Sequence, residues 1–469
     1  MAHVLRITDY NGTVEFNTGN QSLLSYVPRS PNLSTVDFTP EALRDGGERP
    51  STTRRNVTES AVVLFGGTDT DAMRATMGSV EAYLKQAEHY QDYRAGSPVY
   101  VEFQPGGSGD TYRSELLSGK VELDDLTLSA GQWNRTKAKA IVAYTRRHYW
   151  EGGEATLQLY NSGGTSGSVT VYNCDDGTAG RDNYVEIAGT SVSGHYPTPL
   201  KLQMTPGGTA LSKGRLYAGY HGIRSGLSAL THAYEATAAR SNSGNVTATN
   251  VADDTCSGGS AVRLTWGTSI AVALQFIEPT QAEFNNYDGD WFNVFARFRT
   301  APSSSLQLQL ETYGRYWAGP WVTMVANREV QHVGVFRVPP YPGTGTAGGV
   351  TWYLNGKQAG GGSIEMDYLM FMPLIRQYEP VSHQGAVIYT MVNNDTLVDD
   401  PLRADSPVYL LSNIGVAKDG YVGGGQPIHV WPDGRAHRLY FIWDLGNGSA
   451  PVTETLGIQA SYRPRRLTF

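Results

Sequence analysis

Hydrophobic positions along this chain recur mostly with a period of two, the spacing that sets alternate side chains on one face of a β-strand. In Pro98-Val-Tyr-Val-Glu-Phe103 the residues Val99, Val101 and Phe103 share a side, and Leu117–Leu123 alternates again. The stretch Arg135–Tyr144 divides into a basic face of Arg135, Lys137 and Lys139 and an apolar face of Ala138, Ala140, Val142 and Tyr144. One window breaks the rule. Met73, Met77, Val80, Leu84 and Ala87 recur at helical spacing behind a capping stretch, Asp69 to Asp71, which predicts an amphipathic helix lying on a sheet.

Further alternating runs are separated by Gly, Asn, Asp and Pro, and they predict an all-β chain of several β-sandwich domains. Residues 1–155 form a sandwich carrying the helix. Residues 156–230 form a linking β unit, in which Thr156–Tyr160 and Ser168–Tyr172 pair across a Gly/Ser turn. Residues 231–380 hold a third unit, with Leu306, Leu308 and Leu310 on one face and Ile364, Met366, Tyr368 and Met370 on another shared face. Residues 381–469 form a last sandwich.

Composition narrows the class. The chain has 469 residues, 40% of them hydrophobic and 17% charged, enough apolar residues for real cores. The net charge of −7 argues against a general nucleic-acid binder. Two cysteines, Cys174 and Cys256, exclude a disulfide framework and a cysteine-based zinc site, and leave open whether the two pair. The N-terminus lacks a basic-then-apolar leader, and no window approaches a membrane span, so the expectation is a protein made in a cytoplasm with no membrane partner.

Catalytic signatures are lacking. The acid pairs Asp124-Asp125, Asp175-Asp176, Asp253-Asp254 and Asp399-Asp400 are adjacent residues, which on a strand point to opposite faces. They suit Asx-rich turns better than a glycosidase pair about 5–10 Å apart across a cleft. Gly163-Gly-Thr-Ser-Gly167 has Thr at the centre and reads as a hairpin turn, not a nucleophile elbow. The expectation is a protein without enzymatic activity.

Two stretches carry family resemblances. Tyr83-Leu-Lys-Gln-Ala, Pro98-Val-Tyr-Val-Glu, Arg113-Ser-Glu-Leu-Leu-Ser-Gly119 and Tyr144-Thr-Arg-Arg-His-Tyr-Trp150-Glu-Gly152 resemble the N-terminal region of minor and distal tail proteins of long-tailed bacteriophages. That resemblance implies a tail-tube-like sandwich in the virion tail, assembled as a homo-oligomeric ring of six or three copies. Tail tube protein, hub and other tail-tip proteins are then the partners, and nucleic acid is not specifically held.

The second stretch begins at His232-Ala-Tyr-Glu235-Ala-Thr237 and continues through Trp291-Phe-Asn-Val-Phe-Ala-Arg297 to Ile364-Glu-Met-Asp367-Tyr368. It resembles a family-6-type carbohydrate-binding module, a jelly roll. The resemblance implies host-surface glycan as a ligand, stacked on aromatic rings with amides on its hydroxyls. Candidates are Trp291, Tyr313, Tyr316, Trp317, Trp321 and Asn286; the alternative is that these rings pack against a loop or a neighbouring subunit. A structural calcium on Glu235 and Asp367 is also implied, although Thr237 replaces the family's second acid. Backbone amides, Arg297 or Arg299 are the other partners open to those two acids. Arg135, Lys137 and Lys139 are candidate subunit contacts, or a solvated strand face that discourages edge pairing. A carbohydrate-binding adhesin is the rival reading to the tail protein.

Overall fold

The computed structural model describes residues 3–9, 11–31, 33–36, 51–93, 95–106, 109–123, 136–172, 181–207, 215–220, 240–241, 246–253, 256, 259–267, 270–277, 291–312, 318–326, 328–337, 351–375, 387–390, 395–402, 407–413, 422–424, 427–432, 437–444 and 455–468. Almost all regular structure among them is antiparallel strand, in several sheets.

The N-terminal sheet follows from the alternation. Its strands lie in the order Thr13–Glu15, Val4–Thr8, Tyr100–Gln104, Tyr112–Leu123, Lys137–Arg146, Val57–Gly66, Gln21–Tyr26. Ala140, Val142 and Tyr144 are buried, as the apolar face of their strand predicts. The helix Thr70–Tyr93 is capped by the Asp69 carboxylate, whose Oδ1 accepts from the Ala72 amide at 2.8 Å. It buries Met73, Val80, Leu84 and Ala87 on the sheet. Gly119 permits that approach, because a Cβ there would stand 2.7 Å from Leu84 Cδ2 and 2.9 Å from the Ala143 carbonyl.

The far end of the chain returns to this sheet. Trp150-Glu151 pairs with Tyr112–Leu123 on one side and with Arg465-Arg466 on the other. Gly152 donates to the Pro464 carbonyl and His195 to the Arg465 carbonyl, so the C-terminal strand is held from both flanks.

The sequence sets 156–230 apart from 381–469, yet their strands pair with one another. Thr198–Pro206 lies beside Thr455–Tyr462, while Tyr184–Ile187 and Arg215–Tyr220 flank His437–Asp444. Together they make one two-sheet sandwich around a core that includes Leu202, Val185, Phe441, Trp443 and Ile458. The hairpin expected between 156–160 and 168–172 does not form. Leu159–Asn161 pairs with Gly164–Ser166, and Val169–Tyr172 crosses to the other sheet to pair with Thr455–Tyr462. The Gly163–Gly167 string thus forms a turn and an edge strand, as a hairpin reading requires.

Residues between Arg240 and Ile375 form a second sandwich of two five-stranded sheets, set within the first in sequence. One sheet is ordered Val246–Ala252, Ser260–Trp266, Gly362–Ile375, Trp291–Thr300, Val330–Arg337; the other Arg240-Ser241, Ile270–Ile277, Thr351–Lys357, Gln307–Thr312, Val322-Thr323. Leu306, Leu308 and Leu310 face its core, as expected. The second expected face fails. Ile364 and Met366 point into the core, but Tyr368 points out and Leu369 takes the inward place. The cause is a β-bulge: Arg297 stands opposite Tyr368 and Phe298 opposite Met366, leaving Asp367 as the extra residue.

The two sandwiches meet face to face. Tyr217, Tyr440 and Ile442, on the outer face of one sheet of the first, pack with Phe295, Val330 and Tyr368 of the second. The rings of Tyr217 and Phe295 lie 4.7 Å apart.

Candidate binding and contact surfaces

The bulge at Asp367 turns its carboxylate onto the neighbouring strand, where Arg297 Nη1 donates to its Oδ2. The two side chains are 2% and 0% exposed, Arg297 and Asp367 respectively. Two residues along, Arg299 reaches both Asp253 and Glu365, at 2.5 and 2.6 Å, and Arg263 also binds Glu365. Burial alone would raise the Glu365 pKa. Hydrogen bonds from Thr300, Arg299 and Arg263 outweigh it and hold the carboxyl below its ordinary value.

These partners bear on the calcium expectation. Glu235 lies outside the described residues, and Asp367 is joined to a guanidinium. Calcium collects about six to eight oxygen ligands, whereas the donor set here brings an arginine to the acid. The described residues do not fit a calcium site.

The expected sugar-stacking residues are only partly placed. Tyr313, Tyr316, Trp317 and Asn286 lie outside the described residues, and of Trp291 only the backbone is described, pairing with Arg337 and Ile375. Trp321 is half-buried before the short strand Val322-Thr323, with Lys357 Nζ 5.6 Å from its ring centroid. Beside it runs a polar outer sheet face. Gln307 donates to Thr323 Oγ1, Gln309 to the Gly319 carbonyl, and Asn355 to Glu311 and Gln309. Alternation with Leu306, Leu308 and Leu310 places Gln307 and Gln309 outward, although Asn286 is the one amide that the sequence suggests for sugar hydroxyls.

Of the basic comb, Arg135 lies outside the described residues, Lys137 is exposed and Lys139 half-buried. The C-terminal arginines serve inside the chain. Arg465 binds Glu151 at 3.1 Å and stacks on Tyr149 at 4.2 Å, and Arg463 donates to the Gly152 carbonyl. A cleft at this junction is lined by Arg113, Glu154, Lys201, Asp400, Tyr462 and Arg463. Its charges compensate each other: Lys201 lies 3.1 Å from Glu154 and 3.8 Å from Asp400, and Arg113 binds Glu151.

Of the acid pairs, Asp124-Asp125, Asp175-Asp176 and Asp254 lie outside the described residues. Asp399 and Asp400 do diverge, Asp399 into the sandwich onto Tyr389 and Asp400 toward Lys201. Asp253 is the partner of Arg299. Cys256 is buried, and Cys174 lies outside the described residues. Among the described residues no group of three His, Cys, Asp or Glu side chains is placed to hold a metal ion, and no helix is long and apolar enough to cross a membrane.

No family model and no curated protein matches the sequence. Solved structures overlap it loosely. A chain of the phage p2 baseplate in its activated conformation with strontium superposes with TM-score 0.29 and 9% identity, over 47% of this chain and 72% of that one. The SPP1 Dit protein, described as a hub adsorption apparatus protein of phages infecting Gram-positive hosts, gives 0.25 and 11%, over 47% and 71%. A chain of the phage P2 baseplate with calcium gives 0.28 and 8%, over 76% and 99%. Superpositions this loose carry neither fold nor role across to this chain.

Proposed function

We propose that this chain is a structural protein of the tail tip of a long-tailed bacteriophage, acting through subunit contacts and not through catalysis. The observation that carries the reading is the N-terminal sheet. The segments that resemble minor and distal tail proteins, Tyr83–Ala87, Pro98–Glu102, Arg113–Gly119 and Tyr144–Gly152, come together as one helix and three adjoining strands with a short continuation. That sheet is open at Thr13–Glu15 and at Gln21–Tyr26 among the described residues. Leu24 and Val27, at or just past the second edge, are 52% and 72% exposed. Open edges with exposed apolar residues are where a neighbouring copy adds on, and repeated head-to-tail contacts close a ring.

Light scattering after size exclusion, with imaging of the particles, tests the reading on the full chain. Rings of six or three copies are expected, and Leu24→Lys with Val27→Lys dissociates them. A monomer at every concentration, with no affinity for tail-tube or hub protein, retires the proposal.

A second reading, an adhesin for host-surface glycan, is favoured by half-buried Trp321 beside the amide-bearing sheet face. A glycan array with the full chain distinguishes it: binding lost in Trp321→Ala supports it, and no binding at millimolar sugar removes it.

A further inference from the structure

We infer that Arg297 takes the place of a structural cation, so that the inserted sandwich of residues 240–375 keeps its fold and its seat on the first sandwich without calcium. Three observations lead there. The β-bulge at Asp367 aims an acid at Arg297 across adjoining strands, and both side chains are essentially fully buried. A guanidinium stays charged throughout the working pH range and forms directional bonds to a carboxylate. A divalent cation brought to the same acid would meet that fixed positive charge where little water screens it.

The second observation is the match of charges along this end of the sheet. Three acids, Asp253, Glu365 and Asp367, are partnered by Arg263, Arg297 and Arg299. Each of the three carboxylates has an arginine against it, Asp253 with Arg299, Glu365 with Arg263 and Arg299, and Asp367 with Arg297. Each of these arginines is a permanent part of the chain.

The third is position. Phe295, two residues before Arg297 on the same strand and so on the same face, packs against Tyr217 of the first sandwich, and Tyr368 follows Asp367 into that same contact. The ion pair therefore lies beside the surface that joins the two sandwiches. The charge that orders this surface is covalently attached, and the seat of the insert becomes insensitive to chelators. The inference is independent of the tail-tip reading and holds for a monomer as well as for a ring.

Scanning calorimetry of the full chain in calcium and in EDTA, with calcium titration by isothermal calorimetry, tests it. The expected result is the same unfolding temperature in both media and no saturable calcium uptake. Asp367→Asn and Arg297→Met lower the transition by equal amounts with and without calcium, and the apolar pair Arg297→Met/Asp367→Leu recovers part of the loss. A drop of the wild-type transition in EDTA, or saturable calcium uptake abolished by Asp367→Asn, overturns the inference. The wild-type comparison decides the matter even if a single variant does not fold.

Discussion

The Tyr389 hydroxyl donates to Asp399 Oδ2 at 2.5 Å, and this bond joins the two sheets of the first sandwich through its core. Burial raises the Asp399 pKa from 3.8 to about 6, against the lowering effect of the Tyr389 bond. Because the folded-state value lies above the unfolded one, the folded state binds the proton more tightly. The stability this gives is fully present below the unfolded pKa, near 4, and is lost as pH rises through about 6. The cost above pH 7 is about 3 kcal/mol from the size of that shift. Asp399→Asn should therefore raise the unfolding free energy at pH 8 and change little at pH 4, in urea titrations at the two pH values. A variant that destabilises the chain equally at both would rule out the titration of Asp399 as the cause.

Arg146 and Glu59 form a second buried pair, 2.6 Å apart and both wholly inaccessible. Tyr26 and Tyr144 also donate to Glu59, the Arg29 amide binds its other oxygen, and Arg146 stacks over Trp150 at 4.1 Å. Removing one partner leaves the other charge buried without its counter-ion, at about 3–5 kcal/mol. Arg146→Met or Glu59→Leu should each lower the melting temperature strongly, while the double variant Glu59→Leu/Arg146→Met recovers much of the loss. Purely additive losses in that cycle would show that the two side chains are not coupled.

What the sequence made legible followed from local periodicity. The helix face, from Met73 to Ala87, and the inward set Leu306, Leu308 and Leu310 depend only on neighbours along the chain, and both hold. The face from Ile364 to Met370 failed at Asp367, because a bulge adds one residue on one strand and no composition signal marks where. The pairing of Val169–Tyr172 with Thr455–Tyr462 was likewise invisible, since one sequence shows no register between strands so far apart. The Arg297–Asp367 pair was visible as a chemical option, and the fold alone chose it. The aromatic loop was conspicuous by composition, but composition does not say what its rings touch.

Tyr217 and Phe295 hold the two sandwiches together through rings 4.7 Å apart. Truncating a buried aromatic ring to alanine costs about 3–5 kcal/mol. In Phe295→Ala the loss should appear as a separation of the insert's unfolding from that of the first sandwich, giving two calorimetric transitions where the parent gives fewer. The Tyr217→Ala variant should produce the same separation, since it opens the same contact from the other side. An unchanged calorimetric profile in both would mean that other contacts carry the seat of the insert.

Arg465 closes the chain onto its beginning. Its guanidinium binds Glu151 while stacking on Tyr149, and its carbonyl accepts from His195. Gly194, at φ +120°, lets that backbone approach, because a Cβ there would lie 2.8 Å from the Arg465 carbonyl oxygen. The N-terminal sheet and the first sandwich are thus fastened by a strand two residues long, in which side-chain charge supplements few backbone bonds. Arg465→Ala leaves Glu151 nearly buried beside Arg113 alone, and should lower stability by about 1–3 kcal/mol. The informative measurement is limited proteolysis, with Arg465→Ala expected to open cleavage near Gly152-Gly153 and to release residues 1–151 as a folded fragment. Gly194→Ala should act in the same direction through the backbone, without touching any charge. If both variants resist protease as the parent does, the Arg465 contacts are not the fastening, and the two bodies are held by the Gly152–Pro464 and Arg463–Gly152 bonds instead.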